Sequence, residues 1–232
     1  MMLARLTSAM LVWASFTYAT KGVKQLGIQD LTEINVEYQQ QVKVIIGVMS
    51  RCPDAFQMES TFDKVLKTRS VRDKVDLELV YIGTPNATDH IGVSCKHGET
   101  ECSGNIQQLC AQQYVDQTVW WRFVTCQNYY SSRIGSPALA TECAKVAGFD
   151  WDTSPVSLCA SEGGEGEHLL RQSVKRSHQL EIEKSATLLL GDDHRVRCIR
   201  DGGVWKNCDE GHTVGELVDS ILDTWERDNR FF

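Results

Sequence analysis

The stretch that most constrains the fold is Val44-Ile45-Ile46-Gly47-Val48-Met49-Ser50-Arg51-Cys52-Pro53-Asp54-Ala55-Phe56. An apolar run rich in β-branched residues reads as a buried strand, and it stops abruptly at a cysteine followed by proline. Proline is preorganised for the first helical position, and Asp54 suits the positive end of a helix. Met58, Phe62, Val65 and Leu66 then fall on one helical face. Val75 to Ile82 alternates and ends at Gly83, which predicts a second strand. Strand, helix and strand within about fifty residues make a βαβ unit, with parallel pairing and a right-handed crossover. Cys52 therefore falls where a strand hands over to a helix N-terminus. Unpaired backbone N–H groups and the helix dipole favour a thiolate there over a thiol.

The compartment follows from the start of the chain and from the cysteines. Arg5, the mainly apolar run Leu6 to Phe16 and the small residues of Thr17-Tyr18-Ala19 read as a signal peptide over residues 1–19. An uncleaved membrane anchor is the alternative, although the run is short for a bilayer, and no later segment is long and apolar enough to span one. Nine cysteines in a secretory chain imply an oxidising compartment and a disulfide framework. Nine is odd. With Cys52 free, Cys95, Cys102, Cys110, Cys126, Cys143, Cys159, Cys198 and Cys208 can form four bridges. The alternative, Cys52 bridged and another cysteine free, fits a helix-start position less well. Asn86-Ala87-Thr88 is a glycosylation sequon after Gly83-Thr84-Pro85, or simply a polar turn. A net charge of −7 without a basic stripe argues against nucleic acid.

The 232 residues suit one domain with an insertion or two small domains. Residues 20–34 read as a polar lead-in. Residues 35–84 hold the βαβ unit, with a strand over 36–50 and a helix from Pro53 to about Arg72. From 85 to 183 helical periods take over. They predict a helix over 101–124, a helix Pro137 to Ala147 between the N-cap Ser136 and Gly148, and a helix over 167–183 after a glycine-rich loop. Residues 184–232 return to sheet. Ala186 to Leu190, Gly191-Asp192-Asp193 and Arg195 to Ile199 read as a hairpin, and Val214 to Trp225 as a closing helix. The order βαβ, helical insertion, ββα is that of an α/β thioredoxin-like fold carrying an inserted, disulfide-stapled helical subdomain.

The most specific string is Cys95-Lys96-His97-Gly98-Glu99-Thr100-Glu101-Cys102-Ser103-Gly104-Asn105-Ile106-Gln107-Gln108-Leu109-Cys110. Cys102 and Cys110 on one helix lie about 12 Å apart along its axis, too far to bridge each other, so each reaches another element. Cys198 and Cys208 flank a turn-rich loop and are the preferred local pair. Cys143 with Cys159 is a pairing from proximity alone, and the rest stay open. Zinc competes for the signature, but its cysteine intervals fit no common finger spacing, and a secretory chain favours oxidised cysteines. His97 reads as a structural residue before a base.

The pattern C-x-H-G-x-x-E-C-x-x-N-x-x-x-x-C resembles the signature of the gamma-interferon-inducible lysosomal thiol reductase (GILT) family. Cys126, Cys143 and Cys159 follow at spacings similar to the family's. The family carries a Cys-x-x-Cys site upstream, where this chain has Cys52-Pro53-Asp54-Ala55. Two departures stand out: alanine replaces the second active-site cysteine, and no proline occurs over 180–190, where Ser185-Ala186-Thr187 takes the place of the thioredoxin-like cis-proline. The resemblance implies a thiol–disulfide oxidoreductase acting on disulfide-containing proteins in a secreted, endosomal, lysosomal or vacuolar lumen. It needs no cofactor or metal, and no membrane insertion once the signal is removed. Cys52 would be the nucleophile, Arg51 would help by charge or point to solvent, and an external thiol such as glutathione or cysteine would resolve the mixed disulfide. The alternatives are a catalytically degenerate binding or chaperone module, or an interaction protein whose helical insertion docks a partner.

Overall fold

The structure, a computed structural model, describes residues 39–230. The signal peptide and lead-in read from the sequence lie outside the described residues. The apolar run forms β1 (Val42–Val48), buried on both faces. Val44, Ile46 and Val48 enter the main core, while Ile45 faces a smaller cluster with Val80, Ile82, Ile182 and Leu189. Burial on both faces explains why β1 reads as a continuous apolar run rather than an alternating one. The chain turns through Met49–Cys52 into α1 (Pro53–Leu66), shorter than predicted, then returns through β2 (Val75–Tyr81), parallel to β1 from Val42 opposite Val75 to Val48 opposite Tyr81.

A two-stranded ribbon follows, β3 (Thr84–Pro85) against β4 (Val93–Ser94), which the sequence reading did not separate from the helical region. Then come α2 (Glu99–Tyr114), α3 (Gln117–Tyr129), α4 (Pro137–Ala147), α5 (Pro155–Cys159) and α6 (Glu165–Gln179). The helix predicted over 101–124 is thus two helices, broken where Val115 turns extended at φ −133°, ψ 157°. The helix predicted over 167–183 begins and ends earlier. The Pro137–Ala147 helix has the expected limits: the Ser136 hydroxyl accepts from the Leu139 N–H, and Gly148 closes the helix at φ 103°.

The chain then re-enters the sheet with β5 (Thr187–Leu190), antiparallel to β1, followed by β6 (Arg195–Asp201) and β7 (Val204–Lys206). The sheet order is β2-β1-β5-β6-β7. It closes with α7 (Val214–Asp228), whose start is a capping box between Thr213 and Glu216. The βαβ and ββα halves therefore build one mixed sheet, with α2 to α6 inserted between them.

Four disulfides staple this arrangement. Cys95–Cys102 ties the loop after β4 to the first turns of α2, Cys110–Cys159 ties α2 to α5, and Cys126–Cys143 ties α3 to α4. Cys198–Cys208 joins β6 to the loop after β7. The Cys143–Cys159 pairing expected from proximity is incorrect. Helix α4 lies along α3, so Cys143 meets Cys126, whereas α5 presents Cys159 to Cys110 on α2.

Loop-closure entropy ranks two of these bridges. Cys110–Cys159 spans 49 residues and Cys95–Cys102 spans 7, so the first should stabilise by about 4 kcal/mol and the second by about 2. Thermal melts of Cys110→Ala/Cys159→Ala and Cys95→Ala/Cys102→Ala should show the larger drop in the first pair.

Candidate active site

The thiol at the end of β1 is positioned by its own turn. The Cys52 N–H donates to the Met49 carbonyl (2.9 Å), and the Phe56 N–H donates to the Cys52 carbonyl (3.2 Å), which starts α1. Cys52 is the N-cap, with extended φ −82° and ψ 126°, and Pro53 occupies the first turn. The side chain is half-buried, and its Sγ lies 3.4 Å from the Ser185 carbonyl oxygen. The Ser185 hydroxyl in turn accepts from the Met49 N–H (2.9 Å). The Ser185–Ala186 peptide, in the segment expected to stand in for the missing proline, is cis. Ala186 and Arg200 exchange backbone hydrogen bonds of 2.8 Å, which anchors this segment to β6.

Cys52 is the free cysteine; the other eight are bridged. Ala55, where a second cysteine of a Cys-x-x-Cys site would stand, is fully buried beneath the turn. Asp54 faces β6 and β7: its carboxylate accepts from the Gly203 N–H (3.1 Å) and pairs with Arg200 Nε at 3.3 Å. The Arg200 guanidinium lies 5.0 Å from the Trp205 ring centre, and that ring stacks on His212. Among the described residues, no group of three or more His, Cys, Asp or Glu is arranged to hold a metal ion.

Arg51 does not point freely to solvent. Its guanidinium donates to Thr100 Oγ1 (2.9 Å) and to the Ile134 carbonyl (3.2 Å), so it fastens the turn to the helical insertion. His97 is structural: its ring Nδ1 pairs with the buried Glu101 carboxylate, which also accepts from the His97 N–H (3.2 Å). Asn86 is half-buried, with Nδ2 donating to Ser94 Oγ (2.8 Å) and Oδ1 accepting from Thr88 Oγ1 (2.8 Å).

Sequence reasoning passed over Glu59. It sits one turn beyond Ala55 on the buried face of α1, between Met58 and Phe62. A carboxyl at an apolar position of an amphipathic helix was the available signal. Its hydrogen-bond partner is Asn128 of α3, whose Nδ2 approaches to 2.5 Å. Burial pushes the Glu59 carboxyl up from 4.5 to about 8, while the Asn128 amide acts in the opposite direction. The neighbouring Tyr81 hydroxyl, donating to Gln108 Oε1 (2.7 Å), is pushed well above 10 by burial and then by the Glu59 charge.

Comparison with known proteins agrees with this geometry. The fold is similar to that of oxidised BdbD from Bacillus subtilis, at TM-score 0.54 and 14% identity over 80% of this chain and 88% of that one. It is also similar to a putative protein disulfide isomerase from Nitrosomonas europaea, at TM-score 0.54 and 12% identity over 81% of this chain and 98% of that one. At these identities the likeness shows the thioredoxin-like fold alone. No curated protein matches the chain. Residues 43–147 match the model of the gamma interferon inducible lysosomal thiol reductase (GILT) family. Its reaction class is thiol–disulfide exchange.

The Glu59 shift predicts a pH dependence of stability. Between the unfolded value of about 4.5 and the folded value of about 8, the folded state holds a proton that the unfolded state has lost. Stability is therefore fully present below the lower value and falls by a few kcal/mol as pH rises through the window. Denaturant melts from pH 4 to pH 9 should show this decline in the wild type and a flatter profile in Glu59→Gln.

Proposed function

We propose that this chain reduces protein disulfides through Cys52 alone, in a secreted or lysosomal lumen, with a small external thiol as reductant. The observation that carries the reading is the free Cys52 at the α1 N-cap, with its sulfur against the Ser185 backbone and no cysteine at position 55. In the first step the Cys52 thiolate attacks one sulfur of a substrate disulfide. A Cys52–substrate disulfide forms, and the other substrate sulfur leaves as a thiolate and takes a proton. A glutathione or cysteine thiolate then attacks Cys52 Sγ and releases the second substrate thiol. A second small thiol frees Cys52, so each cycle oxidises two small thiols to one small disulfide.

The signal peptide, Asn86 as a glycan carrier and the acidic lumen belong to the same reading. Glycosylation would require Asn86 Nδ2 to exchange Ser94 for the sugar. No helix of the described residues is long and apolar enough to cross a membrane. A second reading, a binding or chaperone module that has lost turnover, is favoured by the alanine buried at the resolving position.

Disulfide reduction assays with glutathione separate the two. Wild type should turn over, Cys52→Ala should lose activity by at least ~100-fold, and Ala55→Cys should turn over with less dependence on added thiol. Activity in Ala55→Cys alone, with wild type silent, would leave a reductase scaffold whose resolving step is gone. Silence in all three would support the binding module.

A further inference from the structure

The signature string carries one residue that the reaction as described does not use, Asn105. Its side chain is buried on α2, one turn beyond Cys102. Its Oδ1 accepts from the Ser50 N–H (3.0 Å), and its Nδ2 donates to the sulfur of Cys95 (3.6 Å), a member of the Cys95–Cys102 disulfide. Beside it, the Ser50 hydroxyl donates to the Glu101 carbonyl (3.2 Å). Gly104 allows this approach: a Cβ there would stand 2.7 Å from Ser50 Oγ and 2.4 Å from the Ile134 side chain. The turn leading to Cys52 is thus held from two sides. On one, Ser185 takes the Met49 N–H; on the other, Asn105 and Glu101 take the N–H and hydroxyl of Ser50.

We infer that Asn105 is a positioning residue for Cys52, itself oriented by the Cys95–Cys102 disulfide, so that the signature fixes where the attacking sulfur stands. A buried N–H has few ways to be satisfied, and a carboxamide whose other end is occupied by a fixed sulfur cannot rotate away from it. Attack on a disulfide requires the approaching sulfur to lie in line with the bond that breaks. A turn freed by one lost hydrogen bond would keep a reactive thiol but misplace it for a bulky protein substrate. The inference rests on the proposed role of Cys52.

The test uses Asn105→Leu, close in volume but without either hydrogen bond, and Asn105→Asp. When protonated in its buried site, the aspartic acid keeps an acceptor for Ser50 and a donor for Cys95. Three rates are read at pH 5 on the folded protein: reduction of a protein disulfide, alkylation of Cys52 by iodoacetamide, and amide exchange at Ser50. In Asn105→Leu, protein-disulfide reduction should fall at least ~tenfold, alkylation should stay within about twofold, and Ser50 exchange should accelerate. Asn105→Asp should recover all three. Reduction in Asn105→Leu within about twofold of wild type would overturn the inference. So would a loss matched by a change in alkylation and not recovered in Asn105→Asp, because that pattern marks general destabilisation. If the wild type reduces nothing, the proposed function fails separately, and the Ser50 exchange rates of the two variants still decide whether Asn105 holds the turn.

Discussion

The Met49–Cys52 turn sets the position of the thiol, because its free backbone and side-chain groups are held by elements distant in sequence. Ser185 takes the Met49 N–H, Asn105 takes the Ser50 N–H, and Arg51 reaches Thr100 and Ile134. A sharp turn between a buried strand and a helix leaves polar groups that must find partners away from water. Here they find them on the returning half of the sheet and on the helical insertion. The insertion is therefore part of what holds the thiol, as well as a covering for one face of the sheet. Its disulfides join α2 to α5 and α3 to α4, and the turn is clamped between the insertion and the segment before β5.

Glu59 connects the same helix to the insertion by a different kind of contact. A carboxyl buried on α1 against Asn128 is comfortable only when protonated. The Glu59 contribution to stability grows as pH falls through its window, which suits the acidic lumen proposed for this chain. Elsewhere the polar clamps are conventional. Arg197, buried on β6, donates to Ser220 and to the Glu210 and Gly211 carbonyls, fixing the loop that holds Cys208 against α7.

Much of this was legible in the residues. The apolar run into Cys52-Pro53, the alternation of β2, the Ser136 and Gly148 limits of α4 and the Gly191–Asp193 turn all carry local signals, and each appears as an element or a boundary. What was not legible is pairing at a distance. The partners of Cys143 and Cys159 depend on which faces of α3, α4 and α5 meet, and spacing along the chain says nothing of that. The break at Val115–Asp116 lacks a proline or glycine, so 101–124 reads as one helix until packing bends it. Arg51 stands beside the thiol in sequence and suggested a charge for it, yet its length carries the guanidinium to Thr100 and Ile134. Asn105 was visible as one letter of the signature, but its role needed Ser50 and Cys95 to be placed on either side of it.

In the proposed mechanism Cys52 attacks alone and waits for an outside thiol. Its most direct test is intact-mass analysis of the mature protein after mixing with a disulfide substrate in the absence of small thiols. A Cys52–substrate adduct should accumulate, persist, and clear when glutathione is added, with none formed in Cys52→Ala. An adduct that never forms, or one that resolves without added thiol, would contradict it.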